Sequence, residues 1–333
     1  MAPVTQPLSS LTAVAEDSTL QGGPVPLPLS YVTSIGPTHA ASAALAPEGT
    51  NAASSSRGIE LHTDARLWEV QWPELTILRL IGHGSFGSVY LAEWNQILVA
   101  VKVLVGKEDV NRGELELPGR VLRDLQAEAA VMSRMRHPNV VQFMGLVAVP
   151  PALITEYCSR GSLYDCLATA REQPAAAAQL TWCRRLAMAV DASAGLLYLH
   201  RRGIIHRDVK SPNLLLDEHY RVKAPEVLEG GAATAASDVF SFGMVLFELL
   251  TWRLPWNFVD MSPFKVGATV RQGGRPVVPQ REALPGPDTA GWAGLDGYLQ
   301  LMRDCWAQQP EDRPGFDQVV SRLRELLAGV SPS

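Results

Sequence analysis

Apolar and polar positions along this chain change rhythm twice. Up to residue 65 there is no rhythm. The stretch HAASAALAPEGTNAASSSRG, residues 39–58, has almost no large apolar side chain. Such a segment buries too little surface to offset its ordering entropy, so residues 1–65 are expected to be a disordered, low-complexity tail. PVPLPLS within it fits a polyproline-type ligand, although a lone match of that kind is more often an inert tail. From Leu67 the texture alters. In LWEVQWPELTILRLIG, Leu75 and Ile77 are two apart, as are Leu78 and Leu80, with Thr76 and Arg79 between. That alternation predicts a strand. SVYLAEW, ILVAVKVL, VVQFMGLVAV and ALITEY read as further short strands, interrupted by one helical pattern, RVLRDLQAEAAVMSRMR. Beyond about residue 160 the spacing turns helical. WCRRLAMAVDASAGLLYLHRRG and ASDVFSFGMVLFELLTW are the two longest such runs, and TAREQPAAAAQL reads as a low-complexity spacer. Strands with one helix, then helices, predict an α+β fold with a small β-rich lobe and a larger α-rich lobe.

Composition and charge narrow the class. With 333 residues, 47% of them apolar and 19% charged, the chain can bury a sizeable core. A net charge of −5 supplies no basic field for nucleic acid. The longest apolar run, VFSFGMVLFELL, is too short to span a bilayer and is interrupted by Glu248, which predicts a buried helix instead. Cys158, Cys166, Cys183 and Cys305 show no C-x-x-C spacing, so they are expected to be free thiols in a reducing compartment. The first basic residue is Arg57, which argues against a secretory leader. The cytoplasm is the expected location, with the nucleus left open.

Three stretches carry chemistry. IGHGSFGSVY places Gly82, Gly84 and Gly87 in a G-x-G-x-x-G turn, whose backbone can approach phosphate oxygens. A dinucleotide fold would place a helix directly after these glycines; here strand patterns come next, so a strand–turn–strand lid is expected. VAVK ends at Lys102, a strand lysine that can reach phosphates if a carboxylate holds it, and Glu128 is the candidate partner. Singly, Lys102 reads as a solvated strand lysine and Glu128 as a surface helix residue. HRDVKSPN, residues 206–213, supplies Asp208 to accept a hydroxyl proton, Lys210 to neutralise a transferring phosphoryl group and Asn213 to ligate magnesium. His206 reads as a packed structural histidine.

These pieces, in this order, resemble a eukaryotic protein kinase over residues 68–328. WEVQWPELTILRLIGHGSFGSVYLAEW, MRHPNVVQFMG and HRDVKSPN are similar to the Raf-like, tyrosine-kinase-like serine/threonine kinases of plants and algae. The resemblance implies a bilobal kinase fold, with residues 66–157 as N-lobe and hinge and 158–333 as C-lobe. It implies ATP and Mg2+ as cofactors, and a protein substrate with a Ser/Thr acceptor in intracellular signalling; Lys210 favours Ser/Thr over Tyr. It makes ITEYCSRGSL the hinge, with Thr155 as gatekeeper and the backbone of Glu156 and Cys158 bonding adenine. Ile81, Val89, Ala100 and Leu215 would line the adenine site. Glu226 and Arg313 resemble a buried ion pair, and Asp238 belongs to the central helix of the large lobe. Phe240 stands where the family usually has Trp or Tyr.

One departure dominates. The string DFG occurs nowhere, and Lys223 is followed directly by Ala224 and the APE triplet. The aspartate of DFG would hold magnesium and the loop beyond it would seat the acceptor. Because one peptide link spans about 3.8 Å, the strand and the segment after it cannot both keep family positions. The strand end at Arg221 to Lys223 is expected to be pulled away, and the packing of Met132 on His206 to lack its phenylalanine neighbour. An impaired enzyme is the consequence; the alternative is a pseudokinase or scaffold that binds nucleotide weakly and acts through partners.

Overall fold

A computed structural model describes residues 65–84, 87–104, 129–225, 234–256, 261–287 and 291–330. Of the expected tail, residues 1–65, all but the last lie outside them, as do Glu128 and Glu226. The chain opens with a five-stranded antiparallel sheet of order β1-β2-β3-β5-β4. Its strands are β1 Leu75–Gly84, β2 Gly87–Trp94, β3 Ile97–Val103, β4 Phe143–Val147 and β5 Ala152–Glu156. All five expected strand patterns are therefore strands. Asn95 and Gln96 join β2 to β3 with φ of 50 and 66°, the left-handed pair that matches strand twist in a two-residue hairpin. Alternation sends Tyr90, Ala92, Val99, Val101 and Val103 to one buried face with Val147 and Ile154.

A second cluster joins the sheet to the helical part. Met132 and Met135 pack with Phe143, Leu146 and Leu153 of the sheet and with Leu199, a helical residue further along the chain. Of the helical pattern at 120–136, residues 129–132 are described and helical.

The helical part contains α1 Leu163–Glu172, α2 Pro174–Gln179, α3 Trp182–Arg201, α4 Ala235–Thr251, α5 Pro263–Arg271, α6 Leu295–Cys305 and α7 Phe316–Ala328. Ser162 starts α1 with a capping box, its hydroxyl accepting from Asp165 N at 3.1 Å. The segment expected to be a spacer is helical instead. Pro174 occupies the first turn of α2, where its missing N–H costs nothing, and four alanines come after it. Helix α4 is the axis of the large core: Val239, Phe242, Val245, Leu246, Leu249 and Leu250 are all buried against α3, α6 and α7. Among the described residues no helix is long and apolar enough to cross a membrane.

The expectation that Arg221 to Lys223 would be displaced is wrong. β6 Leu215–Leu216 pairs with β7 Val222–Lys223, in register Leu215 with Lys223 and Leu216 with Val222. Val222 O accepts from Asn139 Nδ2 at 3.1 Å, and Val222 N donates to Asp191 Oδ2 at 3.3 Å. Ala224 continues the strand, donating to Asn139 O and accepting from Val141 N, each at 3.0 Å. Val222 and Ala224 are fully buried. Four anchored backbone groups and two buried side chains outweigh any pull from the shortened connection. That connection, residues 226–233, lies outside the described residues.

Asn139 is therefore a junction, and Gly195 on α3 lets the helix approach it. A Cβ at Gly195 would lie 2.2 Å from Asn139 O. Backbone cannot yield as a flexible side chain can, so Gly195→Ala is expected to lower stability by about 1–3 kcal/mol. A urea titration that moves the midpoint down without changing the slope would bear this out; an unchanged midpoint would refute it.

Candidate active site

The residues from His206 to Asn213 form a loop between α3 and β6, held from below by α4. Asp238, at the start of α4, is only 1% exposed. Its Oδ2 accepts from His206 N at 2.8 Å and bonds His200 Nε2 at 2.7 Å, while Oδ1 accepts from Arg207 N at 2.8 Å. These bonds hold Arg207 at φ 69°, a left-handed conformation unfavourable for a non-glycine residue. The loop turns there and sends Asp208 outward.

Asp208, Lys210 and Asn213 come together. Lys210 Nζ lies 2.8 Å from Asp208 Oδ2. Asn213 Nδ2 donates to the same oxygen at 2.7 Å and to Asp208 O at 2.8 Å. With its amide nitrogen so engaged, Asn213 leaves its Oδ1 for another partner. A one-turn 3-10 helix, Ser211–Asn213, sets this geometry, with Asn213 N donating to Lys210 O at 3.0 Å. Ser211 is fully buried and donates its hydroxyl to Glu248 Oε2 on α4. Burial pushes the Glu248 carboxyl up to about 7, partly offset by that hydrogen bond. In the sequence Glu248 shows only as a break in an apolar run.

His206 is a structural histidine, as expected. It is fully buried, and its Nδ1 accepts from Asp208 N at 3.3 Å. Burial lowers its pKa, so the ring is neutral and carries its proton on Nε2, which has no acceptor among the described residues. Met132 is also buried, in the cluster with Phe143, Leu146 and Leu199.

β1 and β2 are antiparallel strands on either side of the glycine motif, as expected. Gly82 pairs with Val89 and Gly84 with Gly87; Ser85 and Phe86 lie outside the described residues. Gly87 has φ +130°, and a Cβ there would fall 1.8 Å from Val103 O, so this turn demands glycine for packing alone. Gly82 is different: a Cβ there would meet only Val89 at 3.7 Å. On β3, Ala100 pairs with Thr155, and Lys102 with Val89 and Leu153. Ile81, Val89, Ala100 and Lys102 are half-buried on the sheet, and Leu215 is half-buried on β6.

The end of β5 carries an arrangement that the sequence does not announce. Glu156 N donates to Gln142 O at 2.9 Å, and Gln142 N donates to Glu156 Oε1 at 2.8 Å. Glu156 Oε2 pairs with Lys223 Nζ at 2.6 Å. The end of β5 is thus tied to the β6–β7 hairpin of the helical part. Among the described residues Glu156 O has a 3.3 Å contact from Thr155 Oγ1, and no loop or side-chain bond is made by Cys158 N. These are the two backbone groups expected to meet adenine. Cys158 itself is buried, its thiol pushed up to about 12 by burial and by Glu156.

Glu226, the expected partner of Arg313, lies outside the described residues, and Arg313 has further partners of its own. Its guanidinium donates to the carbonyls of Ala307, Ala236 and Gln308 and lies over Phe240, 4.9 Å from the ring centre. The aromatic at position 240 thus acts as a platform for Arg313, and also for Arg275 at 5.1 Å.

Comparison with known proteins agrees with this geometry. The model of the family described as protein tyrosine and serine/threonine kinase matches residues 75–224 and 220–323, two pieces that overlap around β7. Serine/threonine-protein kinase CTR1 of Arabidopsis thaliana is 36% identical over 304 residues, covering 82% of this chain and 34% of its own length. Serine/threonine-protein kinase STY17 of the same plant is 33% identical, covering 82% and 48%. Probable serine/threonine-protein kinase drkA of Dictyostelium discoideum is 36% identical, covering 74% and 39%. The chain spans about a third to a half of the length of these curated relatives.

Proposed function

Because the chain belongs to the protein tyrosine and serine/threonine kinase family, we propose that it transfers the terminal phosphate of ATP to serine or threonine hydroxyls of protein substrates, slowly. Residues 66–157 would form the smaller lobe and hinge, and residues 158–333 the larger lobe. The observation that carries this reading is the cluster of Asp208, Lys210 and Asn213, joined by bonds of 2.7–2.8 Å. Asp208 would accept the acceptor hydroxyl's proton, and Lys210 would neutralise the equatorial oxygens. Gly82, Gly84 and Gly87 would cover the phosphates, with Lys102 beside them. Ile81, Val89, Ala100 and Leu215 would enclose adenine against the backbone of Glu156 and Cys158, beyond Thr155. An intracellular signalling role and a cytoplasmic location go with this reading.

Members of this family use ATP with magnesium. The adenine side offers a backbone carbonyl and a backbone amide two residues apart, at Glu156 and Cys158. The cation side does not fit. Magnesium demands near-octahedral oxygens and usually one or two carboxylates. The described site offers Asn213 Oδ1 and one carboxylate, Asp208, which is engaged by Lys210 and Asn213. Among the described residues no group of three His, Cys, Asp or Glu could hold a metal. Asn213 would be the one side-chain ligand left.

Loss of one principal electrostatic stabiliser costs on the order of 2.7–4 kcal/mol, or about 10²- to 10³-fold in rate. Transfer of radiolabelled phosphate to a generic basic protein is expected to run slower than an intact relative by about that factor. Equal turnover would refute the impairment. No transfer at all, with nucleotide still stabilising the fold in a thermal titration, would favour the scaffold alternative.

A further inference from the structure

Helix α4 holds the catalytic loop at two points, and only the first is a plain structural tie. Asp238 fixes the backbone of His206 and Arg207. Ten residues along the same helix, about 15 Å further on, Glu248 accepts the hydroxyl of Ser211. Ser211 stands between Lys210 and Asn213, inside the 3-10 turn that aims both at Asp208. Both partners of the bond are buried, at 0 and 5% exposure, where a low dielectric strengthens it.

We propose that Glu248 is a positioning residue which, through Ser211, couples its own charge state to the placement of Lys210 and Asn213 around a nucleotide's phosphates. This rests on the phosphotransfer reading of the site and adds a regulatory input to it. An ionised Glu248 can only accept, which fixes the Ser211 hydroxyl as donor. A protonated Glu248 can donate, so the serine hydroxyl is released to rotate. Charge on Glu248 is thereby converted into freedom of the turn.

Among the described residues, the other groups facing this helix have partners of their own. Arg185 on α3 donates to Leu250 O, and Tyr298 on α6 donates to Leu246 O. Lys210 is paired with Asp208, the His200 ring bonds Asp238, and the His206 ring accepts from Asp208 N. Burial and the Ser211 hydrogen bond are what set the Glu248 proton affinity. Its midpoint near 7 places the switch in the physiological range.

The test measures ATP affinity of the full chain from pH 6 to 8.5, for wild type, Glu248→Gln and Ser211→Ala. The terminal phosphate of ATP titrates in the same range, so the signal is the difference between wild type and variant. Wild type is expected to show an additional change of about two- to tenfold centred near pH 7, the equilibrium worth of one hydrogen bond. Both variants should lack it. Stability against pH provides the second readout. In wild type the folded chain holds a proton between about pH 4.5 and 7 that the unfolded chain has released. Stability therefore falls as pH rises through that window. Glu248→Gln should remove this slope, whereas Ser211→Ala should retain it while losing the affinity step. An affinity step that survives in either variant, or is missing from wild type, overturns the coupling. A chain that transfers no phosphate yet shows the Glu248-dependent step refutes the enzyme reading alone. A chain that binds no nucleotide at any pH overturns both.

Discussion

Replacing Asp238 with alanine is expected to destabilise the fold by about 3–5 kcal/mol and to abolish any phosphate transfer. The carboxylate is 1% exposed and accepts from two backbone amides, with His200 as its third partner. Truncation leaves His206 N and Arg207 N buried without acceptors, each worth about 1–3 kcal/mol. It also releases Arg207 from φ 69°, so the turn that projects Asp208 loses its reason to form. Asp238→Asn should recover roughly half of the loss, because one side-chain oxygen remains. The measurement is a urea midpoint for each variant with near-ultraviolet dichroism of the folded state. A loss under about 1 kcal/mol for the alanine variant would mean that packing, not the carboxylate, holds the loop.

Helix α4 is legible in the sequence, and its two carboxylates only partly so. Apolar spacing over ASDVFSFGMVLFELLTW predicts a buried helix, and α4 is that helix. A buried helix must satisfy any charge it contains, so Asp238 and Glu248 are the positions to question. Glu248 reads as a mere interruption because its partner, Ser211, lies 37 residues away in a different element. Periodicity cannot pair residues across the fold. The same limit hides Lys223 with Glu156, which are 67 residues apart. The expected displacement of β7 fails for a related reason. Counting peptide links gives the tension on that strand but not what resists it, and the resistance comes from Asn139 and Asp191 on remote elements. The alanine-rich segment at residues 174–179 reads as a spacer only if low complexity is equated with absence of order, although alanine is the best helix former. The glycine motif and HRDVKSPN are legible because their candidate residues are neighbours in sequence.

Asp208→Asn is expected to lower phosphate transfer by about 10²- to 10⁴-fold relative to the unmodified chain, with nucleotide affinity almost unchanged. The substitution keeps the shape of the side chain and one oxygen, so Asn213 can still donate to it. What it removes is the capacity to take a proton, together with the charge that draws Lys210 to 2.8 Å. Stability should barely respond, because the Asp208–Lys210 pair is partly exposed, at 29 and 25%, and such pairs are worth about 0–1 kcal/mol. Activity and stability therefore separate at position 208, whereas they fall together at position 238. A loss below about tenfold would show that Asp208 is not the proton acceptor. The variant also supplies the background against which the slow wild type must be read. Suppose the unmodified chain turns over no faster than Asp208→Asn. The chemical step has then been lost with the missing aspartate, and Asp208, Lys210 and Asn213 hold a geometry without a reaction. If instead the two differ by the expected factor, one amide oxygen from Asn213 suffices to keep the phosphates in line for attack.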